Sequence, residues 1–266
     1  MNETLRLIHQ RQSLRGYDDR PVERSTVDAI IGAAMRAPTA GNLMLYSILE
    51  IEDEETKEKL AVSCDNQPFI ARAPLLLIFL ADYQRWMDIF AASDVPAMLQ
   101  ERGEVMRQPG EGDLMLACCD ALIAAQTAVI AAESLGLGSC YIGDIMERYG
   151  YHRELLNLPP YAFPITMVCF GYPRLDGPGR PLTSRFPRAC VHFRDGYRRL
   201  GDEELLEMAQ SRKRGSFTDG ATNVGQQVYL RKLSSHYARE MPRSVRKAIR
   251  TWMGAGDPQR EAPPSF

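Results

Sequence analysis

Four short segments of the chain hold residue types that could do chemistry. In Arg11-Gln12-Ser13-Leu14-Arg15, two guanidinium groups four positions apart flank a hydroxyl. That pattern suits an anion, because a planar guanidinium can bind phosphate through two parallel hydrogen bonds. Taken alone, the stretch also reads as a solvated basic segment. In Ala37-Pro38-Thr39-Ala40-Gly41-Asn42, small side chains let a flat ligand reach the backbone, and Asn42 offers both a donor and an acceptor. In Gly136-Leu137-Gly138-Ser139-Cys140-Tyr141-Ile142-Gly143, the glycines imply close backbone approach, with main-chain N–H groups free for ring atoms. This is not the dinucleotide fingerprint, since it follows a helical stretch instead of opening a helix after a strand. The fourth, Thr183-Ser184-Arg185-Phe186-Pro187-Arg188, is another paired-Arg loop. Cys140 has no histidine near it in sequence to activate it and reads as a structural thiol.

These segments need elements to position them. Ser25 is the expected N-cap of a helix through Val27, Ile30, Ile31, Ala34 and Met35, ending before Pro38. A strand is expected from Ser47 to Ile51 and a helix from about Glu54 to Ser63. Pro74 to Leu80 is a continuous apolar run, the pattern of a central strand covered on both faces. Residues 83–112 read as a weakly helical excursion of the kind that lids a site. Asp113 is the expected cap of a long apolar helix to Leu135, stopped by Gly136. Asp120, Gln126 and Glu133 lie in that helix, and each acid at a bilayer centre would cost about 2.5–3.5 kcal/mol, so it reads as a buried helix and not a membrane span. Being apolar nearly all round, it needs cover from a large core or a partner subunit. A helix from Glu147 to Leu156, a strand from Ile165 to Phe170 and a basic tail helix from Ser244 to Met253 complete the pattern.

The whole chain has 266 residues, 45% hydrophobic and 25% charged, with 32 Lys plus Arg against 34 Asp plus Glu. Disorder as the main state is excluded by those proportions. A net charge of −2 argues against a nucleic-acid binder, which needs a basic excess to neutralise phosphates. The N-terminal segment lacks the apolar run of a signal peptide, so a cytoplasmic protein is expected. Six cysteines without a C-x-x-C pair, and four histidines not spaced as ligand pairs, lend no support to a metal site.

Together the four segments resemble the nitroreductase family of FMN-dependent oxidoreductases. The matching features are R-x-S-x-R at Arg11, Ser13 and Arg15, followed by Tyr17 and Pro21, and A-P-T-A-G-N at Ala37 to Asn42. Asn66-Gln67-Pro68-Phe69, the helix running into G-L-G-S-C-Y-I-G, Gly171-Tyr172-Pro173 and Arg185-Phe186-Pro187 complete a match over roughly residues 5–193. The resemblance implies an α+β fold, a mostly antiparallel central sheet flanked by helices, in an intertwined homodimer with FMN at the subunit interface. Residues 1–200 would form the FMN-binding domain and 201–266 a helical C-terminal arm or extension. Arg11, Gln12, Ser13, Arg15 and Arg185 would hold the phosphate and ribityl end. Pro38, Thr39, Ala40, Gly41 and Asn42 would come from the partner subunit. Asn66 and Gln67 would meet the pyrimidine edge, with the backbone of Tyr141, Ile142 and Gly143 against the ring.

The implied activity is hydride transfer from NAD(P)H through FMN to a small oxidised acceptor such as a nitroaromatic or quinone. Another FMN reaction (enone reduction, dehalogenation or dehydrogenation) and a flavin-binding protein with little turnover are the alternatives. No membrane or nucleic-acid partner is expected. The chain departs from the family pattern at Leu43-Met44-Leu45-Tyr46, where many members have Gln-Pro-Trp after the Asn, and at Thr183, where a Lys is common.

Overall fold

The computed structural model describes residues 1–174, 181–212 and 215–254. In chain order the elements begin with α1 (Glu3–Gln10) and α2 (Arg24–Ala34), then β1 (Tyr46–Glu50), α3 (Glu54–Ser63) and α4 (Pro68–Ala71). β2 (Leu75–Asp82), α5 (Gln84–Ala92), α6 (Val95–Glu101) and α7 (Glu111–Ser134) follow. Next come β3 (Gly138–Ile142), α8 (Tyr149–Leu155) and β4 (Ala162–Gly171), and last α9 (Asp202–Gln210), α10 (Val224–Val228) and α11 (His236–Trp252).

The strands form one sheet in the order β1-β2-β4-β3, with every neighbouring pair antiparallel. The expected α+β class with an antiparallel sheet is therefore present. β2 is buried along its whole length, and its period-two alternation divides the core. Leu76, Ile78 and Leu80 pack in one cluster with Leu60, Ile70 and Met167. Leu75, Leu77 and Phe79 pack in another, against Val27 and Ile30 of α2 and the alanines of α7. On α7 the buried positions Ala117, Ala121, Ala124, Ala125, Ala128 and Ala132 recur at helical spacing. Short side chains there let the helix lie close to the sheet. α7 is long and apolar enough to cross a membrane by length and composition alone, but in this fold it is a core helix.

Several boundaries differ from expectation for local reasons. α2 starts at Arg24 after Glu23, which makes no side-chain cap, so Ser25 sits in the first turn. Arg24 instead bonds Asp28 and Glu50, fastening the helix start to β1. Gly110, not Asp113, is the N-cap of α7; the Asp113 carboxylate accepts from the Gly110 N–H at 2.7 Å and from Arg107. Gly136 does follow the helix end, at φ +82°. The excursion expected to be weakly helical holds two helices, α5 and α6.

The chain divides into two compact units, one running to residue 177 and resuming at Met241, the other spanning Pro178–Glu240. This differs from a boundary near residue 200. Ala248 and Trp252 of α11 are buried in a third cluster of the first unit, with Leu45, Tyr149, Tyr161 and Phe163. The last turns of the tail helix are thus core, not arm. The second unit holds α9, α10 and a π-turn at Tyr229–Leu233.

Candidate functional site

β3 is an edge strand, and the segment after α1 lies along its open side. Ser13 bridges Ser139 in parallel, and the Leu14 N–H donates to the Ser139 carbonyl at 2.9 Å. Close approach requires glycine: a Cβ on Gly138 would lie 2.6 Å from Leu14 Cδ2, and one on Gly171 2.6 Å from Tyr17 Cδ1. Arg11 is drawn onto the same strand, its Nη2 donating to Ser139 Oγ at 3.1 Å, with its Nε 3.9 Å from the Glu133 carboxylate. Arg15 places its guanidinium carbon 5.9 Å from the Phe69 ring centroid. Burial pushes the Cys140 thiol up, and Arg15, a hydrogen bond with Ser13 and Arg11 all oppose that rise. The expected cluster of Arg11, Ser13 and Arg15 is therefore assembled around Ser139 and Cys140. Gln12 between them is exposed.

Past Leu14 no described residue pairs with the outer edge of β3. In an antiparallel strand a residue's N–H and C=O point to the same side and alternate along the chain. Since Ser139 faces away from β4 to receive Leu14, Tyr141 presents its main-chain groups to that same open edge. Its ring packs with the α7 side of the core and its hydroxyl donates to Gln126 at 3.2 Å; burial raises the phenol to about 12. Ile142 is buried on the opposite face, and Gly143 leads into a 3-10 turn at Asp144–Met146.

Asn66, at φ +51°, turns the chain at the end of α3, a conformation that Asn tolerates better than most residues. Gln67 follows, its Nε2 donating to the Cys64 carbonyl at 2.8 Å and to Asp144 at 3.0 Å. Both amide protons are thereby committed, and Oε1 remains as an acceptor.

The Pro38-to-Asn42 loop is organised by Asp120, the acid in the middle of the apolar helix α7. Asp120 of α7 is 2% exposed and accepts from the Thr39 hydroxyl, from the Ala40 N–H at 3.1 Å and from the Leu45 N–H at 3.2 Å. Gly41 and Asn42 both take positive φ, at +55° and +58°. The signal was an acid inside an apolar helix, which demands buried partners. Glu133, beside Arg11, and Asp144, beside Gln67, are likewise members that spacing alone did not single out. Asp120 and Glu133 are 13 residues apart on one helix. At 1.5 Å per residue this separates the loop from the arginine cluster by roughly 20 Å within one chain. Arg185 belongs to the second unit, where it donates to the carbonyl and hydroxyl of Thr183.

The arginine cluster fits a phosphorylated planar cofactor. Arg11 Nε is buried without a hydrogen-bond partner among the described residues, the Glu133 carboxylate standing off at 3.9 Å, and Arg11 and Arg15 both act on Cys140. Such donors match an anionic group, while the open edge at Tyr141 and the Gln67 acceptor match the polar rim of a ring. An antiparallel sheet covered by a long core helix, with an arginine-lined site at its edge, places the chain in the α+β class. The profile of the nitroreductase family matches residues 8–172. The chain is 33% identical over 211 residues to "FMN reductase [NAD(P)H]" of Bacillus subtilis, covering 79% of this chain and 80% of that protein. It is 34% identical over 206 residues to "Oxygen-insensitive NADPH nitroreductase" of Salmonella typhimurium, covering 77% and 79%. Among solved structures, B. megaterium NfrA2 superposes with a TM-score of 0.74 at 31% identity, over 92% of this chain and 98% of that one. This chain belongs to the nitroreductase family.

Proposed function

We propose that the chain binds FMN along the β3 edge and catalyses hydride transfer from NAD(P)H to a small oxidised acceptor such as a nitroaromatic or quinone. The observation that carries the reading is the convergence of Arg11, Ser13 and Arg15 on Ser139 and Cys140, next to the open edge at Tyr141. FMN, when bound, supplies a ring that accepts hydride from a nicotinamide and passes it on. The chain binds and orients that ring. Arg11, Ser13 and Arg15 hold the phosphate, where charge-assisted hydrogen bonds are strongest. Gln67 offers Oε1 to a ring N–H, because Cys64 and Asp144 occupy its own donors. Asn66 sets the turn that places it, and the Tyr141 main chain faces the ring with Ile142 and Gly143.

The second half of the site, Pro38, Thr39, Ala40, Gly41 and Asn42, comes in this reading from another copy of the chain, as a homodimer. Two observations support it. The halves are separated along α7 as described above. In addition, Met115, Leu116, Leu122 and Ile123 of α7 are all exposed, an apolar stripe that a monomer has no reason to keep. A cytoplasmic setting accords with the six free cysteines.

The test is to purify the protein, load it with FMN and follow NADH and NADPH oxidation against nitroaromatic and quinone acceptors. Bleaching of the flavin absorption by either nicotinamide, with recovery on adding acceptor, is expected. A colourless protein that cannot be loaded, or bound FMN that neither nicotinamide bleaches, overturns the reading.

A further inference from the structure

We propose that a cleft at the end of the sheet, where the chain enters β2 and leaves β4, is a second anion site that takes a small phosphate ester or diphosphate. The cleft encloses about 510 Å³ between residues 15–21, the first turns of α3, the 71–74 turn and Arg174. This volume lies in the range of small-ligand sites. Five cationic side chains line it: Arg15, Arg20, Lys57, Arg72 and Arg174. Against them stand Asp18, Asp19 and Glu54. The Lys57 ammonium is closed on Glu54 at 2.9 Å, which removes one charge of each sign. Four guanidinium groups then face two carboxylates, and none of the four pairs with a carboxylate among the described residues. Because Arg15 also belongs to the proposed cofactor cluster, Arg20, Arg72 and Arg174 against Asp18 and Asp19 leave a surplus of one positive charge in the FMN-loaded protein, enough to attract a phosphate group, which carries about −1.5 to −2 at neutral pH.

Two of these groups are fixed in place before any ligand arrives. Arg20 lies over the Tyr172 ring with its guanidinium carbon 4.0 Å from the centroid. Arg174 donates its Nε to the Tyr17 carbonyl at 2.8 Å, which holds the stem and leaves both terminal nitrogens as donors. Ordering that is already complete in the free protein does not oppose binding. The walls also limit the class of ligand. The one lining aromatic residue, Tyr17, is 6% exposed, so the cleft has no ring face on which a base could stack. A compact phosphate carrier such as a sugar phosphate or diphosphate fits better than a nucleotide.

The site is read independently of the flavin assignment, apart from Arg15, which also belongs to the proposed cofactor cluster and is therefore left intact in the test. Isothermal titration of the FMN-loaded protein uses ribose 5-phosphate, pyrophosphate and inorganic phosphate as probes at constant ionic strength, with chloride as reference. Saturable binding of the phosphate compounds but not chloride is expected, and the ester and inorganic arms show which form is preferred. Arg72→Ala combined with Arg174→Ala weakens binding at least tenfold while the flavin spectrum and nicotinamide oxidation stay as in the parent. Should that double variant fail to fold, Arg20→Gln is the substitute, with the same expected loss. Absence of saturable heat at millimolar probe, unchanged affinity in the folded variant, or binding confined to FMN-free protein overturns the proposal. The last result would assign the anion to the cofactor's own phosphate position. If the protein never takes up FMN, the flavin reading fails while the cleft can still be titrated.

Discussion

At the scale of single residues, two buried polar groups set measurable properties. His152 is fully buried, with Nδ1 2.7 Å from the Ile145 carbonyl and Nε2 2.8 Å from Ser63 Oγ. Its Nδ1–H donates to the carbonyl, and since burial keeps the ring neutral, Nε2 is left to accept from Ser63. Burial, helped by Arg148, lowers it from 6.5 to about 4. The unfolded chain therefore takes up a proton that the folded chain refuses. Stability is intact above pH 6.5 and is lost as pH falls towards 4, by about 2 kcal/mol between pH 7 and pH 5. Denaturant midpoints at those pH values, compared with His152→Gln, check this: the variant should show a shallower pH dependence, and an unchanged slope refutes the assignment. Asp120 is the second case. Its carboxylate serves Thr39, Ala40 and Leu45 at once, and a buried donor left unpaired costs about 1–3 kcal/mol. Asp120→Ala is expected to release the Thr39-to-Met44 turn and weaken FMN retention at least tenfold. Fluorescence titration of apoprotein with FMN measures it, alongside circular dichroism to establish that the fold survives.

At the scale of elements, the edge of β3 and the outer face of α7 each make a prediction. Gly138→Ala places a methyl 2.6 Å from Leu14 Cδ2. Overpacking of this kind costs about 1–3 kcal/mol, and here it pushes away the segment that carries Arg11, Ser13 and Arg15. FMN affinity should fall more than the melting temperature does; equal FMN affinity in variant and parent would show that the contact is dispensable. On α7, Leu122→Glu with Ile123→Glu introduces two charges into the exposed stripe. Light scattering should then report a monomer, against the dimer proposed for the parent. Elements of this kind were legible in sequence where one periodicity dominated, as in the apolar run of β2 and the alanine-rich α7. The R-x-S-x-R and glycine segments were likewise legible, and the fold brings them together at the β3 edge, where close backbone approach restricts residue type sharply. What stayed hidden depended on tertiary partners. Asp120 shows its role only once Thr39 and Leu45 are folded onto it, and the start of α2 is set by Arg24 reaching Glu50 on another element. A cap rule applied to Ser25 sees neither partner.

At the scale of the whole molecule, the fate of the tail decides how 266 residues are used. A basic helix at the end of a chain invites reading as a detachable arm, and its charged positions support that impression. The fold argues otherwise, because α11 brings Trp252 back to 1% exposure, with its ring edge-on to Tyr161 at a centroid distance of 5.7 Å. Ser244 on the same helix accepts from the Tyr149 N–H at 2.8 Å and donates to the Met146 carbonyl at 2.7 Å, capping the start of α8. The second unit, Pro178–Glu240, therefore lies in sequence between two parts of the first. Removing a buried tryptophan costs about 3–5 kcal/mol, against a total of about 5–15 kcal/mol for a typical protein. Trp252→Ala should therefore lower the denaturation midpoint more than any surface change in the second unit, such as Leu206→Ala, and a chain ended at residue 240 should lose stability further, since the Ser244 cap goes as well. Both are measured by urea titration with FMN in excess, so that cofactor loss does not masquerade as unfolding. A chain ended at 240 with the parent's midpoint would return the tail helix to the status of an arm.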